Sequence, residues 1–427
     1  MAQASTNGAA GHARLATPMR ILWVATKSPW PPVDGGRLVA SLTLEALRAA
    51  GHEATVVAPV DPREADAAEA AARRAGWERV VLVPTRPVPL PRAALRGALG
   101  RLPITLRRHA LAPVGAVVAD LLERERFDVA HAEQLQALGQ LAGAEQRRVP
   151  VVLRATSVES DVWRDLARTT PLAGFLLRRE ARRLAGWEGA AVRCVAATVA
   201  LTSPDAARLD ELAGTGGRVH HVPAPFPSRL PSAESALEGS PPVVLFGSSG
   251  WHPNRDGARW LVERAWPRVR EELPGAVLHV VGLPVREAAR VVARPAPADS
   301  RDAYARGSVL VVPLRVASGV RIKILEAWAR GVPVVATPEA VRGLDAADGR
   351  ELLLARGPEE LARALRRVHE EPGLAAALVA AGRDRLAARH DPAAVATRLV
   401  EVYASAVRLV TPGAGASCEG GARGRVS

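Results

Sequence analysis

The segment SGVRIKILEAWARGVPVVATP, residues 318–338, is the stretch from which the fold can be read. Its pattern predicts a glycine-bearing loop, a short helix over about 322–330, a stop at Gly331 and then a β-strand. Apolar residues cover two faces of this helix and leave Lys323, Glu326 and Arg330 as a narrow polar stripe. A helix of this kind is built for burial, so the stripe is a candidate functional feature. The alternative is an exposed salt bridge between Lys323 and Glu326.

The loop before this helix is a candidate anion site. Ser318, Gly319 and Arg321 would direct backbone N–H groups and a guanidinium at an anion near the helix N-terminus. Lys27 and Lys323 are the only lysines among 57 basic residues. A lysine kept in the polar stripe is therefore a further indication of function.

Length and charge set the next limits. A chain of 427 residues is too long for one core, so we expect two domains of roughly 200 residues each. The net charge of +13 and the isoelectric point of about 11.1 indicate an anionic partner. Nucleic acid is disfavoured, because the arginines are dispersed, aromatic residues make up only 4% and no recognition motif or zinc-ligand spacing occurs. A membrane surface or a phosphorylated substrate remains.

One segment concentrates positive charge. Residues 86–109 contain six arginines and no acid, interleaved with leucine, isoleucine, proline and alanine. This composition suits a surface that lies against anionic lipid, and the alternative is a solvated loop and helix edge. Cys194 and Cys418 give no disulfide framework, and no run of about 18 apolar residues exists. We therefore expect a cytoplasmic protein that can associate peripherally with the inner face of the membrane.

Apolar strands alternate with helical patterns along the chain, which predicts parallel sheets covered on both faces. The pattern restarts after a proline-rich connector. We predict an α/β fold of two doubly wound, Rossmann-like domains that face a central cleft. The predicted parts are a disordered leader (1–18), a first domain (19–222), a linker (223–242), a second domain (243–392), a terminal helix (393–410) and a disordered tail (411–427).

Two loops that follow predicted strands are candidate ligand loops. SPWPPVDGGR at 28–37 follows the first strand; Gly35 and Gly36 would let its backbone approach a ligand, and Lys27 stands at its entrance. GSSGWHPN at 247–254 could hold phosphate through backbone amides, starting with Gly247 and Ser248. The alternative for the loop at 28–37 is a rigid surface turn.

Other classes of site receive little support. No G-x-G-x-x-G follows the first strand, and neither a phosphate-binding G-x-x-x-x-G-K-[ST] nor a G-x-S-x-G occurs. Two histidines lie at strand ends, His131 on a predicted strand and His252 just after another. Each is a candidate cleft contact, although a lone histidine is more often structural.

Two long runs in the second half carry a family resemblance: VVLFGSSGWHPNRDGARWLVERAWPRVREELPGAVLHVVG at 243–282 and YARGSVLVVPLRVASGVRIKILEAWARGVPVVATPEAVRGLD at 304–345. They resemble the C-terminal domain of retaining GT-B glycosyltransferases of family 4, the group 1 transferases. The first half is similar to that family in PPVDGGR (31–37), LRATSVESDVWRDLA (153–167), LLRREARRLAGWE (176–188) and ALTSPDAARL (200–209).

The resemblance implies an enzyme that moves a sugar from a nucleotide-sugar to an acceptor with retention of the anomeric configuration. No cofactor or metal is implied, since cationic side chains of the protein would stabilise the charge on the departing diphosphate. The acceptor is left open; cell-surface polysaccharide, glycolipid or lipid-linked molecules and secondary metabolites are the candidates. The terminal helix, after about Ala393, would cross back onto the first domain.

The resemblance also assigns roles to residues. Arg321, Lys323 and Glu326 would form the catalytic set: Glu326 would also hydrogen-bond the nucleotide ribose, and Arg321 and Lys323 would lie beside the diphosphate. Donor contacts would come from the loop residues Ser318, Gly319, Gly35 and Gly36.

The sequence departs from the family pattern at two places. Ser318 stands where the first of two paired glutamates is expected, and Thr156-Ser157 stands where relatives often carry His-Asn. Glu159 and His131 are the candidates to replace that histidine. These departures are the basis of an alternative function, a catalytically weakened GT-B protein that binds nucleotide-sugars or serves as a scaffold. A nucleotide-sugar epimerase of the same fold is disfavoured, because the motif at 318–338 is of the transferase kind.

Overall fold

The computed structural model describes residues 17–410 except 101, 170–173, 215–217, 233–235, 298–299 and 317–318. Most of the predicted leader and the whole predicted tail therefore lie outside the described residues, as do Ser318 and Cys418. The described chain forms two parallel sheets, each flanked by helices on both faces, as the alternating pattern predicts. The prediction of two Rossmann-like α/β domains is confirmed.

The first sheet has seven strands in the order β3-β2-β1-β4-β5-β6-β7. Its strands are β1 Arg20–Val24, β2 Glu53–Val60, β3 Val80–Pro84, β4 Val129–Glu133, β5 Val151–Ala155, β6 Ala197–Ala200 and β7 Val219–His221. Its helices are α1 Gly35–Ala49, α2 Ala65–Arg74, α3 Leu90–Leu99, α4 Ile104–Arg108, α5 Ala112–Arg124, α6 Glu159–Thr169, α7 Gly174–Cys194 and α8 Ser203–Ala213. The central strands are buried on both faces, which explains why they read as continuous apolar runs.

The second sheet has six strands in the order β10-β9-β8-β11-β12-β13. Its strands are β8 Pro242–Phe246, β9 Val277–Val281, β10 Val291–Arg294, β11 Val309–Val312, β12 Val334–Ala336 and β13 Leu353–Leu354. Its helices are α9 His252–Trp260, α10 Trp266–Glu272, α11 Ile322–Arg330, α12 Pro358–Glu370 and α13 Leu374–Arg389, and the chain ends in α14 Pro392–Val410.

The unit at 318–338 folds as its pattern predicts. Helix α11 buries both apolar faces, with Trp328 fully enclosed and its indole N–H donating to the Glu351 carbonyl over 2.9 Å. Gly331 ends the helix in the left-handed conformation (φ 82°), which a glycine adopts at little cost. Strand β12 then enters the sheet beside β11.

The helical segment that follows β8 is interrupted. A π-helical turn, Leu261–Ala265, separates α9 from α10. Pro267 is the second residue of α10, and because proline has no N–H it cannot complete an α-helical hydrogen bond at this point. The wider π-helical turn accommodates Pro267, and the helix continues as α10.

The last helix belongs to the first domain by its packing. Helix α14 lies against α1, and Val395, Leu399 and Tyr403 are buried in one cluster with β1 residues such as Ile21 and Trp23. The chain crosses between the domains twice, near residues 224–226 and near His390. Hydrogen bonds join the two crossings: Phe226 N–H donates to the His390 carbonyl over 2.7 Å, and the His390 ring bonds the Ala224 carbonyl over 2.8 Å.

The carboxyl ends of the two sheets face one another. Loops that follow β1 and β5 in the first domain touch the loop that follows β11 in the second domain. A buried apolar cluster also spans the interface, with Val39 and Leu201 of the first domain against Ile322 and Leu325 of the second. In parallel α/β folds, ligands bind beyond the carboxyl ends of the strands, so the interface is the place to look for a site.

Candidate active site between the two domains

The N-termini of helices α1 and α11 meet across the interface. A Cβ added to Gly35, the first residue of α1, would lie 3.5 Å from Cγ1 of Ile322, the first residue of α11. Each helix start has unpaired backbone N–H groups and the positive end of the helix dipole. Two such ends at close range favour an anion between the domains.

Gly319 brings the loop before α11 against the first domain. Its φ is +73°, and a Cβ there would lie 2.4 Å from the Thr156 carbonyl oxygen, so no larger residue fits without movement. This confirms that the loop reaches the opposite domain. Ser318 precedes it outside the described residues, so its predicted donor contact stays a prediction.

Lys323 connects α11 to the loop that follows β8. Its Nζ donates to the Phe246 carbonyl over 2.7 Å and to Asn254 Oδ1 over 3.0 Å. Asn254 in turn donates from Nδ2 to the Ser248 carbonyl over 3.1 Å. Gly247 is required here, because a Cβ would lie 2.9 Å from Asn254 Cγ. Burial, together with the neighbouring charge of Arg321, lowers the pKa of Lys323 to about 7.

Arg321 is the second cation at this point and is only 4% exposed. Its Nη2 donates to the Gly319 carbonyl over 2.5 Å, and its guanidinium lies 5.3 Å from the centre of the Trp251 ring. Burial lowers the pKa of Arg321 to about 10, and the charge of Asp205 from the first domain opposes that shift. The structure therefore brings Arg321, Lys323 and the loop that begins at Gly247 together beside the start of α11.

Glu326 has partners within its own domain. Its Oε1 accepts from Ser300 Oγ over 2.5 Å and from Arg330 Nε over 2.9 Å, and its Oε2 lies 3.5 Å from the Tyr304 hydroxyl. The salt bridge with Lys323 that was the alternative for this stripe does not form; Glu326 pairs with Arg330 instead. The predicted ribose contact of Glu326 remains a prediction, and a ligand would have to compete with these three groups.

Lys27 lies at the first-domain side of the interface. Its Nζ donates to both carboxylate oxygens of Asp34, over 2.9 and 2.8 Å. Asp34 also caps α1, since its Oδ1 accepts from Arg37 N over 3.0 Å. A Cβ on Gly36 would lie 3.6 Å from Lys27 Nζ, so the two predicted residues are neighbours.

Gln134 is a residue that sequence reasoning missed. It follows β4 with φ 73° and ψ 156°, a conformation that is costly for any residue other than glycine. Its side chain links two other strand ends: Thr26 Oγ1 donates to Gln134 Oε1 over 2.7 Å, and Gln134 Nε2 donates to Thr156 Oγ1 over 3.2 Å. Backbone strain of this kind is common at functional sites, where it orients a side chain. No sequence pattern indicates that Gln134 adopts this conformation.

Two carboxyl groups line a narrow cavity beside Gln134 and Thr156: those of Glu159 and Glu188. Glu188 comes from α7 and accepts the backbone N–H of Glu159 over 2.6 Å, which holds the start of α6. Burial raises the pKa of Glu159, and burial together with the charge of Glu159 raises the pKa of Glu188 to about 7. Glu159 was predicted as a cleft residue, whereas Glu188 was not.

The structure does not place His131 on the cleft. Its side chain is fully buried and stacks on Trp23, with ring centroids 3.7 Å apart. Tyr403 of α14 bonds Nδ1 over 2.7 Å, and Glu133 bonds Nε2 over 3.2 Å. Burial lowers the pKa of His131 to about 4, so the neutral ring joins α14 to the first sheet. The prediction of a cleft contact is wrong for this residue because the helix that crosses back covers it.

His252 is the first residue of α9 and is partly exposed beside the loop 247–251. Its predicted role as a cleft contact stays a prediction. Within the ranges that the structure describes, no cluster of three or more histidine, cysteine, aspartate or glutamate residues could hold a metal ion. Over the same ranges, every helix is too short or too polar to cross a lipid bilayer.

A family model described as "Glycosyl transferases group 1" matches residues 241–371. The second domain is therefore similar to group 1 glycosyl transferases over most of its length. The match covers β8, the loop 247–251, Lys323 and Glu326, which are the second-domain parts of the site described above. It confirms the prediction that the chain is an enzyme of the transferase class. A comparison with curated protein sequences finds no match.

Solved structures of similar fold span nearly the whole chain. HepE of Anabaena in complex with UDP-glucose is 16% identical with a TM-score of 0.61, over 91% of this chain and 100% of its own. Sucrose-phosphate synthase from Thermosynechococcus elongatus is 17% identical with a TM-score of 0.66, over 90% and 98%. A glycosyltransferase from Rickettsia africae is 10% identical with a TM-score of 0.62, over 92% and 99%. At these identities the likeness establishes the fold, and the predicted GT-B architecture is confirmed.

Proposed function

We propose that the group 1 domain binds a nucleotide-sugar and that the chain transfers the sugar to an acceptor with retention of the anomeric configuration, as a family 4 enzyme. The observation that carries the proposal is the meeting of the α1 and α11 N-termini with Arg321 and Lys323 beside them. A nucleoside diphosphate matches this site, since it offers two charged phosphates to helix ends and cations.

The proposed chemistry follows from where charge develops. As the bond between the anomeric carbon and the diphosphate breaks, negative charge grows on the departing oxygen. The acceptor hydroxyl oxygen forms the new bond to the anomeric carbon, and its proton leaves with the diphosphate. Arg321 and Lys323 are already fixed by hydrogen bonds, so they stabilise that charge with little reorganisation. For this reason we expect transfer without a metal, and chelation by EDTA should leave the rate unchanged.

The acceptor side belongs to the first domain. Glu159, Lys27 and the strained Gln134 lie there around the ends of the strands, opposite the loop at Gly319. We assign the acceptor hydroxyl to this side and leave its source open among polysaccharide, glycolipid and secondary metabolites. The proposed location is the cytoplasm, with peripheral contact to the inner face of the membrane.

UDP-glucose is the first donor to test, because HepE was solved with it. Thermal shift, slow donor hydrolysis and transfer to acceptor extracts would be measured over a panel of nucleotide-sugars, and proton NMR of the product would give its anomeric configuration. Inversion of configuration would overturn the family 4 assignment. Absence of binding to every nucleotide-sugar would overturn the whole proposal.

Site variants test the residues directly. Replacing Arg321 by Met should reduce turnover on the order of 10²–10³-fold. Replacing the exposed Arg306 of the same domain by Met is the matched control and should have little effect. Equal activity of the two variants would show that Arg321 is not part of the machinery.

The second candidate function is nucleotide-sugar binding or scaffolding without turnover. Two observations favour it: Thr156 replaces the histidine expected of relatives, and the Glu326 carboxylate is occupied by Ser300 and Arg330. Donor binding with neither hydrolysis nor transfer would support this function over catalysis.

A further inference from the structure

Four strongly exposed apolar side chains lie on helices α3 and α7 of the first domain. Of the six large hydrophobic residues that are most exposed in the described ranges, four lie on two helices: Leu90 (50%) and Leu95 (71%) on α3, and Phe175 (69%) and Leu176 (64%) on α7. Exposed apolar residues scattered singly need no explanation, but a group of them marks an interaction site.

The side chain of Arg183 connects α7 to the end of α3 and to the loop that follows it. Arg183 of α7 donates from Nη1 to the Gly97 carbonyl of α3 and from Nη2 to the Leu102 carbonyl, each over 2.9 Å. Glu180 accepts the backbone N–H of Ile104 at the start of α4. Leu176, Glu180 and Arg183 are spaced four and three apart and therefore share one face of α7. Leu176 thus lies about 6 Å along the helix from the residue that grips α4.

Positive charge surrounds these apolar side chains. Arg92 of α3 and Arg178 and Arg179 of α7 are exposed. No acidic residue occurs on α3 or among residues 174–179. The first acid of α7, Glu180, is buried and pairs with Arg183 over 3.1 Å, so it does not offset the exposed arginines. We call this surface the apolar–basic face: Leu90, Leu95, Phe175 and Leu176 with Arg92, Arg178 and Arg179.

The apolar–basic face lies on the same side of the sheet as the interface between the domains. Helix α3 follows the carboxyl end of β3, and α6 starts just beyond the carboxyl end of β5. Glu188 of α7 touches the start of α6, and Phe175 lies thirteen residues earlier on α7, which is about 20 Å of helix. The exposed end of α7 therefore projects beyond the strand ends where the proposed acceptor binds.

We propose that the apolar–basic face docks the protein on an anionic lipid bilayer, with its four apolar side chains in the headgroup region and its arginines on lipid phosphates. A mixed apolar and cationic surface without acids is what an anionic interface attracts. A second copy of the chain fits less well, because a two-fold contact through this face would bring the arginines of both copies together. Docking would also bring a lipid-borne acceptor to the site. This delivery rests on the proposed function, whereas the docking does not.

Vesicle flotation of the full chain tests the docking. We expect binding to vesicles of phosphatidylglycerol and phosphatidylcholine, weak binding to phosphatidylcholine alone, and weakening as salt rises. Replacing Phe175 and Leu176 together by Ser should lower the partition coefficient at least tenfold. Replacing Arg178 and Arg179 together by Gln should lower it about 25-fold, from about fivefold per arginine.

Leu409 of α14 provides the control, because it is 55% exposed and remote in sequence from the apolar–basic face. Leu409→Ser should bind vesicles like the unaltered protein, and all variants should keep its thermal stability and donor-induced thermal shift. Absence of vesicle binding, or equal binding by all variants, would overturn the proposal. So would a dimer in sedimentation that the Phe175 and Leu176 variant abolishes. A membrane-bound protein that binds no nucleotide-sugar would refute the proposed function and leave the docking intact.

Discussion

Lys323 should take up a proton when a nucleotide-sugar binds. Its pKa is lowered to about 7 by burial and by Arg321, although its Nζ has two acceptors, the Phe246 carbonyl and Asn254. A diphosphate beside Nζ favours the charged form and raises the pKa back toward its ordinary value. At pH 8 the free protein carries this charge in about one molecule in ten, so binding should take up about 0.9 proton. At pH 6 the uptake should fall to about 0.1 proton.

The same linkage sets the affinity. Above about pH 7 the charged fraction of Lys323 falls tenfold per pH unit, and donor affinity should fall with it. Between pH 7 and pH 9 the charged fraction drops from about one half to about one hundredth. The dissociation constant should therefore rise about fiftyfold, which corresponds to about 2.3 kcal/mol.

Isothermal titration calorimetry measures the uptake directly. UDP-glucose is titrated at pH 8 in phosphate and in Tris, whose ionisation enthalpies differ widely, and the slope of the observed enthalpy gives the protons bound. UDP-glucose has no group that titrates between pH 6 and 8, so the uptake at pH 8 belongs to the protein. Lys323→Met should abolish the uptake, whereas Lys27→Met, which removes the only other lysine, should retain it. An uptake below about 0.2 proton, or equal uptake by Lys323→Met and the unaltered protein, would refute the assignment.

Three further substitutions probe the interface and the first domain. Gly319→Ala should weaken donor binding at least tenfold, because its Cβ would lie 2.4 Å from the Thr156 carbonyl at φ +73°; thermal shift with UDP-glucose measures this. Glu188→Gln should raise the melting temperature at pH 8 but hardly at pH 4.5. Burial raises the pKa of Glu188 to about 7 in the folded protein, so the folded state favours the protonated carboxyl group. The contribution of Glu188 to the free energy of unfolding is therefore complete below about pH 4.5 and is lost as the pH rises through 7, by about 3 kcal/mol. Tyr403→Phe should cost about 1–3 kcal/mol in urea unfolding, because buried His131 Nδ1 loses its partner.

Matched variants separate these effects from general damage. Gly349 also has a positive φ, 75°, but open space around its Cβ position, so Gly349→Ala reports the backbone cost alone. If Gly319→Ala binds the donor no worse than Gly349→Ala, close contact between the domains is not required. Glu370 is exposed, and Glu370→Gln should leave the pH dependence of stability as it is. An unchanged pH profile for Glu188→Gln, or unchanged stability for Tyr403→Phe, would contradict the corresponding reasoning.

The fold was predictable where local pattern and burial agree. The central strands are apolar on both faces, and α11 has two apolar faces and a glycine stop, so their positions follow from the sequence. Strands β7 and β10 do not have this pattern. Both lie at sheet edges, are short and are at most half buried, so they lack the continuous apolar run that marks a central strand.

Part of the site was predictable from the positions of its residues in the sequence. Glycines and cations near strand ends can be found by position, and Gly35, Gly319, Arg321 and Lys323 do meet. Pairings between residues distant in the sequence cannot be found in that way. Lys323 donates a hydrogen bond to Asn254, which is 69 positions away, and Glu188 accepts one from the start of α6, 29 positions away. His131 was misplaced because nothing near it in sequence shows that α14 will cover it.

The return of α14 to the first domain has a consequence for how the protein is made. Six residues of that helix (Val395, Leu399, Val400, Val402, Tyr403 and Ala406) are buried in the core that also holds β1, near the start of the chain. The first domain therefore cannot complete its core while the second is being synthesised. It stays open on the side of α1 until α14 has left the ribosome. A nascent chain that stalls after the second domain would expose Trp23 and its neighbours, and cellular quality control would meet a first domain that lacks α14.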